Sequence, residues 1–519
     1  MKKTITIICL VLFASVPAIA QTGSLDPSFS DDGMAITDFN KTDDQAYAIA
    51  VQADGKIIAA GDTGDDGLLI CRYNSDGTLD TGFSGDGKFV TYLGRNLDIR
   101  AVSILSDGKI VIAGSVVDEN YYRSVFVGRL NANGTWDTSF KDTGYQNYFI
   151  SNNSDKALAM KVYPDGKILL AGQAYSAGIT SFLVMKLKED GNYDTSFSGD
   201  GITLTTNIGP GGTDNLTGMA VDANGKIYLA GTAMQSDFKD FLAVVKINAN
   251  GSRDNTFGTS SKVVIPAYND RVKVAVQDDG KIILGSNIYQ NQKSDFHLVR
   301  LNTNGTIDTT FGEKGFVIKN YGNVYNFFSD LTIQSDGKIL MTGFLDMLVS
   351  PAEMLIARFN ADGSTDESYG TGGSVQIKPA QTGLYPSSFA FQADGKPLVC
   401  GYALINEKYD FAVVRLKSDV ATSVENEGSE KIADFTLLQN YPNPFNPSTN
   451  IGFNLPQSAH VKLVVFDLLG REVVTLVNKV MEAGSHSVVF EANSLSAGLY
   501  FARISFGGKV MTQKMTLLK

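Results

Sequence analysis

A turn tripeptide returns seven times along this chain, with its glycine at Gly55, Gly108, Gly166, Gly225, Gly280, Gly337 and Gly395. It is Asp-Gly-Lys in six copies and Asn224-Gly225-Lys226 in the fourth. A spacing of about 57 residues is that of one supersecondary unit, which buries its apolar face only by stacking on its neighbours. An alternating run precedes each turn (Tyr47, Ile49, Val51) and an apolar run follows it (Ile57 to Ala60). Asp-Gly or Asn-Gly between two such runs predicts a β-hairpin, because both residues tolerate positive φ.

A second signature follows each hairpin. It is an apolar strand carrying one basic residue: Arg72, Arg129, Lys186, Lys246, Arg300, Arg358 and Arg415. In the first six copies a turn Gly lies five residues on, an Asp three beyond it and an aromatic three beyond that, as in Arg72, Gly77, Asp80 and Phe83. Basic residue and Asp then face one another across a hairpin, where unlike charges fix register. The aromatic is expected between blades. With a fourth strand such as Lys88 to Tyr92, the unit has four antiparallel strands, and seven of them make a seven-bladed β-propeller.

The seventh copy breaks off after Arg415 without a fourth strand. Its missing part stands near the N-terminus, where Gly23, Asp26 and Phe29 repeat the spacing and Met34 to Phe39 supplies a strand. The N-terminal strand is therefore expected to close the last blade, pairing Asp26 with Arg415, since an open ring would leave two unprotected sheet edges. The phrases Leu79-Asp80-Thr81-Gly82-Phe83 and Trp136-Asp137-Thr138-Ser139-Phe140, with Asp-Gly-Lys-Ile, resemble the delta-60 repeat family of bacterial extracellular β-propellers over about residues 23–417. The resemblance implies a fold and no particular activity.

Residues 418–434 are polar and acidic and read as a linker. From Phe435 the chain changes character, with Asn440-Tyr441-Pro442-Asn443-Pro444-Phe445-Asn446-Pro447 followed by six strand-like runs, which predicts a small Ig-like β-sandwich over 435–519. That run, with Asp467-Leu468-Leu469-Gly470-Arg471-Glu472-Val473, Ser496-Ala497-Gly498-Leu499-Tyr500 and the closing Lys514-Met515-Thr516-Leu517-Leu518-Lys519, is similar to the type A C-terminal sorting domain of the type IX secretion system of Bacteroidota. The resemblance implies passage across the outer membrane, handled by the type IX machinery. The alternative is an ordinary stalk-like sandwich module.

At the other end, Lys2 and Lys3, the apolar stretch Ile5 to Val16 and Ala18-Ile19-Ala20 read as a signal peptide over 1–20, followed by the propeller over 21–417. The apolar stretch is too short to anchor, and no second run of about 18 apolar residues predicts a membrane span in the mature chain. A net charge of −11 argues against nucleic acid as a partner. Once Cys9 is lost with the leader, Cys71 and Cys400 remain, either as two buried thiols or as one bridge between the first and last blades.

The propeller has one histidine, His297, between Phe296 and Leu298 in a strand, so a Ser-His-Asp or Cys-His arrangement has little to draw on. Counted back from the Asp or Asn of each turn, an Asp recurs nine or ten residues earlier: Asp44, Asp98, Asp155, Asp214 and Asp270. This position enters the first strand, which lines a propeller's channel. Turn and capping chemistry accounts for such residues; the alternative is a partial carboxylate ring for calcium or a basic ligand. The loops between second and third strands are long and varied, and they carry Tyr121, Tyr122, Tyr175, Tyr289 and Tyr402. Exposed tyrosine on irregular loops suits glycan or protein contacts. The expected function is a secreted or cell-surface binding module without catalysis. A carbohydrate-active hydrolase or lyase using two channel carboxylates is the alternative, and a purely adhesive role is a third.

Overall fold

Each Asp-Gly-Lys turn closes by a backbone bond from Gly to the residue three earlier, as from Gly55 N–H to Gln52 O at 2.9 Å. Only the glycine takes positive φ (+85° at Gly55, +83° at Gly108); the Asp does not. Its side chain acts instead, with Asp54 Oδ1 accepting the Lys56 N–H at 3.1 Å. The expectation that both turn residues use positive φ is thereby corrected: Asp is selected as an acceptor two residues upstream.

The computed structural model describes residues 23–418 except 40–42, 65, 152–153, 177, 238, 269–270, 291–292, 323–324, 347–350 and 379–382. It also describes 436–518 except 438–439, 441–442, 444, 456–458, 482–483, 494 and 508. The leader at 1–20 and most of the expected linker lie outside the described residues. Two compact units divide at Val420 and Ala421.

In the first unit, blade one comprises Asp44–Val51, Ile57–Thr63, Gly67–Tyr73 and Lys88–Tyr92, paired in that order. Six further blades repeat the scheme. Blades two and three are joined by one parallel pairing, Ser154 with Arg123. The first strands contact one another in sequence, and that of blade seven (Gly383–Phe391) meets that of blade one. Second and third strands are almost wholly buried, because each sheet packs on neighbours on both faces, so they read as unbroken apolar runs. Met34–Thr37 pairs with the third strand of blade seven, Met34 opposite Val414 and Thr37 opposite Phe411, which makes the ring continuous.

One polar constellation recurs beneath the blades. In all seven, the Lys of the turn tripeptide lies 2.8–3.3 Å from the repeat Asp. In six of the blades the same Asp also pairs with the basic residue of the third strand, as Arg72 Nε with Asp80 at 2.6 Å and Arg415 Nε with Asp26 at 2.9 Å. Arginine then reaches the next blade: Arg129 Nη1 donates to Glu189 O and Arg415 Nη1 to Ser75 O, both at 2.6 Å. Below it the aromatic presses on the next blade's turn glycine, Phe29 on Gly77 and Tyr369 on Gly23.

In six blades the first strand carries a β-bulge, in blade one between Ala46 and Ala48. The bulge drives a carbonyl onto the facing strand. A Cβ at Gly61 would sit 1.9 Å from Gln45 O, and one at Gly401 2.0 Å from Tyr385 O. Glycine is required there by contact, not by φ.

In the second unit, Thr436–Leu437, Ser448–Leu455 and Gly484–Glu491 form one sheet, and Glu472–Met481, Ala459–Asp467, Gly498–Phe506 and Lys509–Leu517 the other. One core that includes Phe445, Phe453, Val465, Ile504 and Met515 lies among them. Asn443 Oδ1 accepts the Thr516 N–H at 2.8 Å, tying the proline-rich segment to the last strand.

Burial raises the Asp26 pKa, but hydrogen bonds from Ser28 and Lys396 and the Arg415 charge overcome it and hold the carboxyl at about 2. A depressed pKa stabilises the fold above the ordinary value near 4, and that contribution is lost as pH falls toward 2. Arg415→Ala is expected to cost about 3 kcal/mol in urea unfolding at pH 7, because it leaves a buried carboxylate with Lys396 as its one charged partner beside the Ser28 hydrogen bonds. The exposed pair Asp467–Arg471 is the control, where Arg471→Ala should leave the urea midpoint almost unchanged.

Candidate functional site

The carboxylates expected as a ring divide into two sets. Asp44, Asp155 and Asp214 are fully buried. They accept backbone N–H groups of the loop entering their own blade: Phe39 to Asp44, Ile150 and Ser151 to Asp155, and Ile208 to Asp214, each at 2.8 Å. Asn326 does the same in blade six for Tyr321 N–H at 2.8 Å. Burial raises the pKa of Asp155 and Asp214. Asp98 stands one residue out of step, nine rather than ten before its turn Asp, and a one-residue slip turns the side chain to the other face. It is half-buried and pairs with Arg100 at 2.5 Å. Asp270, with the same nine-residue count, lies outside the described residues. The four described carboxylates thus do not converge on one ring. Asp38, Asp44 and Asp410 do bring one oxygen each within 4.8 Å of one another and have the donor set of a hard-cation site. Burial, and then the charges of Asp38 and Asp44, push Asp410 up to about 6.

At the channel mouth, on the side of the loops between second and third strands, six aromatic rings from three blades form a continuous wall. Phe327 and Phe344 stack at 4.9 Å between centroids, Phe344 meets Tyr385 edge-on at 5.1 Å, and Tyr385 stacks on Tyr402 at 5.2 Å. Tyr409 lies 5.1 Å and Tyr47 6.2 Å from Tyr402. All six are partly exposed. Phe327 and Tyr385 occupy the same place in their blades as Asp98 and Lys156 do in theirs, ten residues before the turn glycine.

The wall passes directly into charged groups. Arg100, the bulge residue of blade two, lies 3.8 Å over the Tyr47 ring. Asp62 accepts the Ile99 N–H at 3.1 Å. Burial first, and the Asp98 charge second, push the Asp62 carboxyl up to about 7. Burial also raises the tyrosine pKa values at 47, 385 and 402, so these hydroxyls stay protonated at neutral pH.

Of the tyrosines expected on the loops, Tyr402 lies in this wall. Tyr121 is 74% and Tyr122 46% exposed on the blade-two loop, with Arg95 donating to the Tyr121 hydroxyl at 3.1 Å. Tyr289 is 55% exposed on the blade-five loop, and Tyr175 is half-buried on blade three. Tyr47, Tyr385, Tyr409, Phe327 and Phe344 were not legible as a group, because more than 300 residues separate Tyr47 from Tyr402. A usable signal was the bulge glycine, which recurs six residues after the turn glycine in six blades (Gly61, Gly114, Gly172, Gly231, Gly343, Gly401) and marks where the first strand swells into the channel.

Elsewhere, a groove of about 370 Å³ lies over the closing pair, lined by Ser28, Gly55, Ser75 and Arg415, on the face of the Asp-Gly-Lys turns. Its arginine is already committed to Asp26 and Ser75. Cys71 and Cys400 are free and buried in one apolar cluster. His297 is buried, which lowers its pKa to about 4, and bonds Ser286 Oγ at 3.2 Å. No helix among the described residues is long and apolar enough to cross a membrane.

Fold and tail define a secreted seven-bladed β-propeller that ends in a type IX sorting domain. The propeller carries seven repeats of the family described as Domain of unknown function (DUF5122) beta-propeller, matched at residues 52–83, 105–140, 164–197, 223–257, 277–311, 334–369 and 392–419. Residues 439–517 match the Secretion system C-terminal sorting domain. No curated protein matches the chain. Solved structures similar to it include a protein of unknown function from Dyadobacter fermentans (13% identity, 74% of this chain and 98% of that one, TM-score 0.40). Two others are the polysaccharide lyase Uly1 (12%, 77% and 98%, 0.43) and PorZ, a surface component of the type IX secretion system of Porphyromonas gingivalis (9%, 91% and 81%, 0.25). Superposition at this level carries no inference about the chemistry of this chain.

Asp98→Asn is expected to lower the Asp62 titration midpoint, followed by carboxyl ¹³C NMR, since it removes a like charge and leaves Arg100 without its nearest counter-ion. An unchanged midpoint would show that the two carboxyls do not interact.

Proposed function

We propose that this protein is an extracellular carbohydrate-binding propeller, delivered by its C-terminal domain to the cell surface or medium, that seats a saccharide at the channel mouth. The aromatic wall Phe327–Phe344–Tyr385–Tyr402–Tyr409–Tyr47 carries the reading. A sugar ring has an apolar face of C–H groups that packs on aromatic faces, and a rim of hydroxyls that needs donors and acceptors. Neutral tyrosines offer both. Asp62, Asp98 and Arg100 stand at the end of the wall for the polar rim. The wall comes from residues within strands rather than at loop tips, so its geometry is rigid. Tyr121, Tyr122 and Tyr289 extend the same face outward as secondary contacts.

Catalysis by a carboxylate pair is the second reading, favoured by one observation: the Asp62 carboxyl, pushed up to about 7, lies near a second carboxyl, Asp98, and glycoside hydrolysis uses a raised carboxylic acid with a second carboxyl close by. One assay separates the two. In gels containing polysaccharide, Tyr402→Ala and Tyr385→Ala are each expected to weaken retention about five- to tenfold, the loss of one well-packed aromatic contact. The polymer should be recovered at unchanged length. Shortened chains that disappear with Asp62→Asn would establish the second reading, and unaltered retention by both tyrosine variants would remove the first. For export, deletion of 435–519 should trap the propeller in the periplasm, and continued release into the medium would contradict the role given to the tail.

A further inference from the structure

The protein carries a net charge of −11, yet one quarter of its channel mouth is basic. Arg95 and Arg100 enter blade two on its first strand, Arg123 begins its third strand, and Lys156 lies near the start of blade three. The parallel pairing of Ser154 with Arg123 brings the edges of these two blades together and sets Lys156 two residues from that contact.

These cations are held in place. Arg123 Nη1 donates to Ser115 Oγ at 2.8 Å and to Asn96 O at 3.4 Å. Arg100 is fixed between Asp98 and the ring of Tyr47. Lys156 is half-buried, and burial together with the like charges of Arg123 and Arg100 disfavours its ammonium form, against one partial offset from Asp98. Nearby acids do not cancel the excess. Asp98 is engaged by Arg100, and burial with the Asp98 charge disfavours the anionic form of Asp62. Asp118 is turned onto its own loop, accepting N–H groups of Asn120 and Tyr122, and Glu119 is exposed at the loop tip.

Resting on the saccharide reading above, we propose that the ligand is an acidic saccharide whose anionic oxygens are taken by Lys156 and Arg123, beside Arg100, while its ring lies on the aromatic wall. Arg100 links the two halves, since it lies over the Tyr47 ring and its charge reaches Lys156. An anion here satisfies a half-buried ammonium that now faces guanidinium groups, and the guanidinium planes suit a two-oxygen contact. A uronate carboxylate and a sulfate ester share this chemistry.

The test is affinity electrophoresis of the full-length protein in gels containing polygalacturonate, dextran sulfate, neutral dextran or polyglutamate. One acidic polysaccharide should retard the protein more than neutral dextran or polyglutamate does. Lys156→Gln should weaken that retardation about fivefold, one partly screened charge contact, and Lys156→Arg should keep most of it. Thermal unfolding of both variants shows whether the fold is intact. Equal retardation by neutral dextran, equal retardation by polyglutamate, no retardation by either acidic polysaccharide, or no effect of Lys156→Gln would each overturn the proposal. Tyr402→Ala tells the two readings apart. If it weakens binding while Lys156→Gln does not, the saccharide site stands without its anion seat. If only Lys156→Gln matters, the basic quarter binds anions and the aromatic wall has no part.

Discussion

Each blade depends on one aspartate, which in six of the seven answers to three parts of the chain. In blade one, Asp80 caps its own turn by accepting the Gly82 N–H, pairs with Arg72 from the third strand, and receives Lys56 from the first turn. A buried carboxylate is costly unless its neighbours are charged and its lone pairs are filled. Here both conditions are met by residues fixed at constant spacing, so the requirement turns into a specification of hairpin register. The arginine extends the constraint across the blade boundary to a turn carbonyl, and the aromatic beneath it fills the space left by a glycine in the next blade. Because Arg415 bonds both to Asp26 from the N-terminal segment and to Ser75 of blade one, the chain of contacts closes on itself.

Concentrating the constraints on one face leaves the other free. The turns carrying this belt are short and nearly uniform, whereas the opposite loops differ in every blade. The inner strands differ as well. At the position ten residues before the turn glycine the chain places Gln45, Asp98, Lys156, Asn215, Phe327 and Tyr385 in six of its blades, six different side chains on one repeated backbone. Repetition builds the scaffold, and departure from repetition builds the wall and the charged quarter.

The belt was legible in the sequence because its members recur at fixed intervals within about 30 residues of one another. The closing pair of Asp26 and Arg415 was legible for the same reason, as the two halves of one interrupted repeat. What was missed has a common cause. The Lys of Asp-Gly-Lys, read as part of a turn, meets its Asp only after two intervening strands have folded back, as Lys56 does Asp80. Counting Asp98 with Asp44 ignored that a step of one residue reverses a side chain's face in a strand. The aromatic wall draws on three blades, so its members have no sequence relation beyond their places in separate copies. In the tail, the residues that carry the family resemblance are also structural, since Asn443 and Phe445 grip the last strand.

Binding on the varied face, with the uniform face serving as support, is the claim that ties these features together. Hydrogen–deuterium exchange with and without an acidic polysaccharide tests it most directly. Added protection should fall on the entries of the first strands and on the loops between second and third strands, centred on Tyr385, Tyr402, Arg100 and Lys156. The amides of the seven Asp-Gly-Lys turns should remain unchanged. Protection confined to those turns, or to the groove above Asp26 and Arg415, would contradict the account.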